Sequence, residues 1–160
     1  MYYIATTRFN NDTFKQNRDY CINKSNLYYG TPIPMKDKIK KDYFVFVLEM
    51  NNDENKIMGL GIIKNTIINQ SKNHLIYKDR NYNRFIYKGY SRIDRSQIKD
   101  EYSIKVFEIL DLLLFKGSRH IKRAQGITEL PDWIDNKKFN FSKYFRFLFR
   151  KYNNYNVKYN

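Results

Sequence analysis

Residues 43–50 alternate without interruption. Phe44, Phe46, Leu48 and Met50 fall on one side of an extended backbone, and Tyr43, Val45, Val47 and Glu49 on the other. This is the clearest predicted strand. Asn51-Asn52-Asp53-Glu54-Asn55 supplies a turn into a second strand over 57–64, and the pair reads as an antiparallel hairpin. Residues 2–7 (YYIATT), rich in aromatic and β-branched side chains, predict a first strand. Asn10-Asn11-Asp12-Thr13 caps a short helix running to about Asn23. Two prolines make Gly30-Thr31-Pro32-Ile33-Pro34 a rigid turn. Residues 74–78 and 84–93 predict two more strands. Residues 100–115 predict a helix with Asp100 as N-cap, Gly117 just past its end, and Ile104, Phe107, Leu110 and Leu114 on the core face. In residues 137–160, Tyr144, Phe145, Phe147, Leu148 and Tyr152 recur at roughly helical spacing among cations.

The pattern therefore predicts an α+β fold. One domain over 1–136 is expected to carry a basic, aromatic-rich C-terminal helical extension over 137–160. A chain of 160 residues with 42% hydrophobic content can bury a real core. The longest apolar run, near Ile109 to Phe115, is too short to span a bilayer, and the start of the chain has no signal-peptide pattern. An intracellular protein is the expectation, cytoplasmic or nuclear, or packaged in a virion. Cys21 is the single cysteine and reads as a small buried hydrophobe.

Charge changes the picture. Thirty Lys and Arg face sixteen Asp and Glu, for a net +14, and aromatics make up 18% of the chain. Such a field attracts polyanions, and interleaved rings offer surfaces for unpaired bases. An abundance of Asn, Lys, Ile and Tyr is the signature of an AT-rich genome, such as that of a large DNA virus, which accounts for part of the lysine count. The excess is uneven: seventeen bases against eight acids in residues 81–160, thirteen against eight in residues 1–80.

Several stretches are candidate contacts. In the strand over 84–93, alternation places Arg84, Ile86, Lys88, Tyr90 and Arg92 together, either as a phosphate-contacting face or as an ordinary solvated one. Residues 116–127 hold Lys116, Arg119, Lys122 and Arg123 with His120 and Gln125, between Gly117 and Gly126, and no acid. This resembles a phosphate clamp more than a filler loop. Trp133 fits a core position or a base pocket, and Lys143, Arg146 and Arg150 lie on the basic tail. Gly59 and Gly61 share one face, which marks a barrel bend or bulge, or else a close approach by a ligand. Enzyme signatures are missing: one Cys and two distant His residues make no zinc set, and no P-loop, nucleophile elbow or HExxH occurs. His120 beside Arg119 and Lys122 is the one arrangement that suits metal-free RNA cleavage. No cofactor, metal or catalytic residue is expected.

The order of elements in residues 1–95 resembles the PUA-like superfamily, in particular its EVE, ASCH and YTH branches. The residues that carry the likeness are Ala5-Thr6-Thr7-Arg8 ending the first strand, then Tyr29-Gly30-Thr31-Pro32, the stretch 39–46 (IKKDYFVF), and the stretch 57–63 (IMGLGII). The resemblance implies a small curved β-barrel flanked by helices, with a pocket that accepts a base, often a modified one. The YTH branch uses a tryptophan-rich cage, whereas Trp133 here lies outside the matched stretch. The function expected is non-enzymatic binding of RNA or DNA, with single-stranded or modified-base recognition. The alternatives are a protein that coats nucleic acid without selecting bases, a surface-bound membrane helix over 137–160, or a metal-free ribonuclease.

Overall fold

In the computed structural model, residues 2–68, 74–136 and 138–153 are described. The order of elements is β1 (Tyr2–Phe9), α1 (Asn11–Lys24), β2 (Leu27–Thr31), β3 (Phe44–Asn51), β4 (Lys56–Ile67), β5 (Phe85–Asp94), α2 (Glu101–Phe115), β6 (Thr128–Glu129) and α3 (Phe141–Asn153). The six strands form one sheet, ordered β2-β5-β4-β3-β1-β6, that curls into a half-barrel. β1 and β3 run parallel, as the crossover through α1 and β2 requires, and the other pairs are antiparallel.

Local chemistry explains the elements that alternation and capping predict. Asn10 caps α1 through a reciprocal box with Thr13: the Thr13 N–H donates to Asn10 Oδ1 and the Asn10 N–H to Thr13 Oγ1. Asp100 accepts from the Ser103 N–H at the start of α2. Both faces of β3 are buried. Phe46, Leu48 and Met50 join one core, and Val45 and Val47 the other.

Two expectations fail locally. Residues 74–78 form no strand; they lead into a 3₁₀ turn, Arg80–Asn83, where the Asn83 side chain accepts from the Ile76 and Tyr77 N–H groups. The Gly30-Thr31 segment, predicted as part of a turn, ends β2 and pairs with β5, so the turn begins at Pro32.

The first core places Phe46, Leu60, Ile62 and Ile93 of the sheet against Phe107, Leu110 and Leu114 of α2 and Phe145, Leu148 and Phe149 of α3. The second holds Ala5, Val45, Val47 and Ile63 with Leu27, Tyr29, Tyr87 and Cys21. On α2, Ile104 was expected inward; it is 36% exposed, and Ser103 takes the buried place. The basic C-terminal helix is built into the first core rather than appended to it. Phe145 is fully buried, with ring centroids 5.7 Å from Phe46 and 6.5 Å from Phe107. Phe145→Ala is expected to destabilise the whole domain by about 3–5 kcal/mol, read by urea denaturation. An unchanged midpoint would return α3 to the status of an extension.

Candidate nucleic-acid interface

The C-terminal ends of β1 and β3 open onto a pocket of about 320 Å³, within the range of about 300–1,000 Å³ typical of small-ligand sites. Thr7, Arg8 and Phe9 of β1, Asn52 after β3, and Gly30 and Thr31 at the end of β2 with Pro32 beyond it line its base. Tyr77 and Tyr82 make an aromatic wall, their rings edge-on at 6.1 Å. Residues 122–126 (KRAQG) form the lip. None of the lining residues is acidic, and three are cations: Arg8, Lys122 and Arg123.

Arg8 organises this end of the molecule. Its Nε donates to the Ile121 carbonyl at 2.9 Å and its Nη1 to the Gly126 carbonyl at 3.0 Å, so one guanidinium grips both ends of the lip. Nη2 donates to the hydroxyls of Thr6 and Thr128, each at 2.7 Å. Every acceptor is a neutral oxygen, and among the described residues no carboxylate lies in ion-pair range. Burial pulls the Arg8 pKa down to about 10, which leaves it charged at neutral pH. A desolvated cation without a counter-charge favours an anion nearby.

Asn52 ties the lip from the other side, its Nδ2 donating to the Lys122 carbonyl at 2.9 Å. Its Oδ1 is buried and has no donor among the described residues. Buried acceptors are normally satisfied, so this unpaired oxygen is a local cost of holding the lip through the Asn52 amide. The Lys122 ammonium donates to Asn55 Oδ1, and Arg123 is exposed at the rim.

The predicted contacts do not form one face. Arg92 is the chief correction. Its side chain is 13% exposed and is committed to acids, with Nη2 at 2.6 Å from Glu49 Oε2 and Nη1 at 2.8 Å from Asp94 Oδ2. Glu49 is fully buried and also accepts from the Tyr29 hydroxyl at 2.6 Å, while Arg18 stands 4.0 Å away. Gly59 and Gly61 serve this interior arrangement. A side chain at Gly59 would strike Arg92 and Glu49, and one at Gly61 would strike Tyr29. Their small size admits internal groups, not a ligand.

Arg92 leaves the predicted face because β5 bulges. Ser91 and Gly89 oppose the consecutive Ile62 and Ile63 of β4, which leaves Tyr90 as an extra residue. Alternation inverts there: Lys88 and Tyr90 stay exposed while Arg92 turns inward. Ile86, predicted on the same face, is buried. Arg84 is exposed beside the Phe85 ring, 5.9 Å from its centroid.

His120 and Arg119 stand outside the pocket lining. The Lys122 N–H donates to His120 Nδ1 at 3.4 Å, and the Arg119 guanidinium lies 5.8 Å over the Trp133 ring. Trp133 is 36% exposed and its neighbour Ile134 takes the core place, so the tryptophan neither fills the core nor lines the pocket. Lys143 and Arg150 are exposed on α3, and Arg146 packs over Tyr2.

The pocket also uses Arg8, Asn52, Tyr77 and Tyr82, none of which the sequence reading singled out as contacts. Arg8 carried the one available signal, a cation closing an otherwise neutral strand. Among the described residues no group of three or more His, Cys, Asp or Glu is placed to hold a metal, and no helix is long and apolar enough to cross a membrane. In fold class the chain is an α+β protein whose half-barrel presents a cationic pocket at its strand ends. Compared with protein-family models, curated proteins and solved structures, it finds no match.

Proposed function

We propose that the chain is a non-enzymatic nucleic-acid-binding protein that takes an unpaired nucleotide into the pocket at the ends of β1 and β3. The observation that carries this reading is the lining itself, with three cations, two tyrosines and no acid. Arg8 donates all its N–H groups to Ile121, Thr6, Gly126 and Thr128, so it supplies an uncompensated positive charge beneath the pocket, which favours a phosphate held by Lys122 and Arg123. Tyr82, 43% exposed, offers its ring to a base, backed edge-on by the buried Tyr77. The resemblance to PUA-like proteins supports the same reading, since their pocket accepts a base, often a modified one. The displaced His120 has no second acid–base group beside it in the described contacts, which favours binding over cleavage.

The test is fluorescence anisotropy with single-stranded RNA, single-stranded DNA and duplex DNA, with and without methylated bases, across a salt series. The reading expects a preference for single strands and a log–log salt slope of about −2, if the three pocket cations each neutralise a phosphate at about −0.7 per contact. Equal affinity for every probe would favour coating without base selection, and salt-insensitive binding would discard the electrostatic account. A parallel incubation expects intact RNA with both the native chain and His120→Ala; cleavage that disappears in the variant would make the protein a ribonuclease.

A further inference from the structure

At the other end of β1 and β3 from the pocket, three rings form a connected series. Tyr90 is 53% exposed and meets Phe44 edge-on, with centroids 5.5 Å apart. Phe44 stacks on Tyr2 at 5.9 Å, and the Arg146 guanidinium lies 5.6 Å from the Tyr2 centroid. Tyr2 and Phe44 are half-buried at the margin of the first core, which fixes their rings. Tyr90 is the extra residue of the β5 bulge, a device that re-aims a side chain. The result is an exposed ring held in one orientation by its neighbour, at little entropic cost to a ligand.

Cations border these rings from two directions. Lys64 is the cross-strand partner of Phe44, and exposed Lys88 lies two residues before Tyr90. On α3, Lys143 and Arg150 sit about one turn to either side of Arg146. Neither β4 nor α3 contains an acid, and the single acid of β5, Asp94, is paired with Arg92. Rings bordered by cations match a single strand, whose bases stack while its phosphates meet the charges. An anionic bilayer fits less well, because a helix lying in a membrane surface needs a free apolar face. The apolar face of α3 is spent on the core through Phe141, Phe145, Leu148 and Phe149.

We propose that Tyr90, Phe44 and Tyr2, flanked by Lys64, Lys88 and Arg146, form a second contact for the same single strand whose unpaired nucleotide enters the pocket. The proposal rests on the pocket reading and extends its footprint. Tyr2 and Phe9 are the two ends of an eight-residue strand, which separates the contacts by about 23 Å. A short oligonucleotide reaches one of them; a long one reaches both.

The experiment measures binding of mixed-sequence single-stranded RNA of about 4 and about 14 nucleotides, a span typical of single-strand sites, to the full chain. Tyr90→Ala is expected to weaken the long strand by about fivefold to a hundredfold and to leave the short one unchanged. Tyr90→Phe should bind as the native chain does. Lys88→Glu, at an exposed position, is expected to weaken the long strand alone and to lower its salt dependence. Long-strand affinity unaffected by Tyr90→Ala would overturn the proposal, as would equal losses on both strands. So would loss of binding to phosphatidylserine–phosphatidylcholine vesicles with RNA binding intact, which would make the surface a membrane contact. The two readings fail differently. A native chain that binds neither strand removes the pocket reading, whereas one that binds both equally well, in a manner dependent on Arg8, keeps the pocket and removes the second contact.

Discussion

Replacing Glu49 by Gln is expected to cost the fold about 3–5 kcal/mol. Glu49 lies at 0% exposure inside the half-barrel, and Arg92, Tyr29 and Arg18 are arranged around it. The neutral amide leaves the buried Arg92 guanidinium without its main counter-charge and gives the Tyr29 hydroxyl a weaker acceptor. At about 2–4 °C per kcal/mol for a chain of this size, the melting temperature should fall by roughly 6–20 °C. Burial alone would raise the Glu49 pKa, but the charge and hydrogen bonds of Arg92, then Arg18 and Tyr29, outweigh it and hold the carboxyl below its ordinary value. The sign follows from that depression. Ionised Glu49 contributes stability above its unfolded pKa of about 4.3, and the contribution disappears as pH falls through the lower folded value. Urea denaturation of the native chain and Glu49→Gln between pH 3 and 7 should show two curves that converge on acidification. Parallel curves would remove the ion pair from the account. A companion variant with Glu49→Leu and Arg92→Leu together should recover part of the loss, because neither of those charges is then buried alone, while the Tyr29 hydroxyl still lacks its acceptor.

The second large effect concerns Arg8. Arg8→Gln removes a charged donor that bridges Ile121 and Gly126 and takes a positive charge from the pocket base. Every Arg8 donor is spent within the protein, so the effect on binding comes from one lost charge and a loosened lip. A unit charge near a phosphate contributes about 1–4 kcal/mol at about 4 Å, and nucleic-acid affinity should fall by at least about fivefold. The salt slope should become shallower by about 0.7, the share of one phosphate contact. Limited trypsin digestion separates positioning from contact: a released lip should be cut faster after Lys122 and Arg123. Unchanged affinity in Arg8→Gln would remove Arg8 from the site, and a lost affinity with an unchanged digestion pattern would leave its charge as its single role.

What was legible in the sequence was local. The alternation of residues 43–50, the capping segment at residues 10–13, the Asp100 cap, and the apolar repeat of Tyr144 to Tyr152 within the basic tail are set by periods of two and 3.6 residues and by nearest-neighbour hydrogen bonds. Those rules need no knowledge of the rest of the chain, and β3, α1, α2 and α3 follow them. The α+β class follows in turn, as does a net charge that suits polyanions. β2 escaped notice because Gly30 and Thr31, read as turn formers, are held extended by pairing with β5.

The site belongs to tertiary structure. The bulge at Tyr90 inverts the side-chain alternation of β5 and sends Arg92 to Glu49, forty-three residues away. No pattern within β5 states that, since a bulge is decided by the register of the strand beside it. Arg8 meets the lip across 113 and 118 residues, and Asn52 meets it across 70. The sequence by itself determined which segments are strands and helices and how much positive charge the molecule carries. Folding decided which cations are spent in the interior and which remain for a ligand, because burial and counter-charge are properties of the three-dimensional neighbourhood and not of the residue.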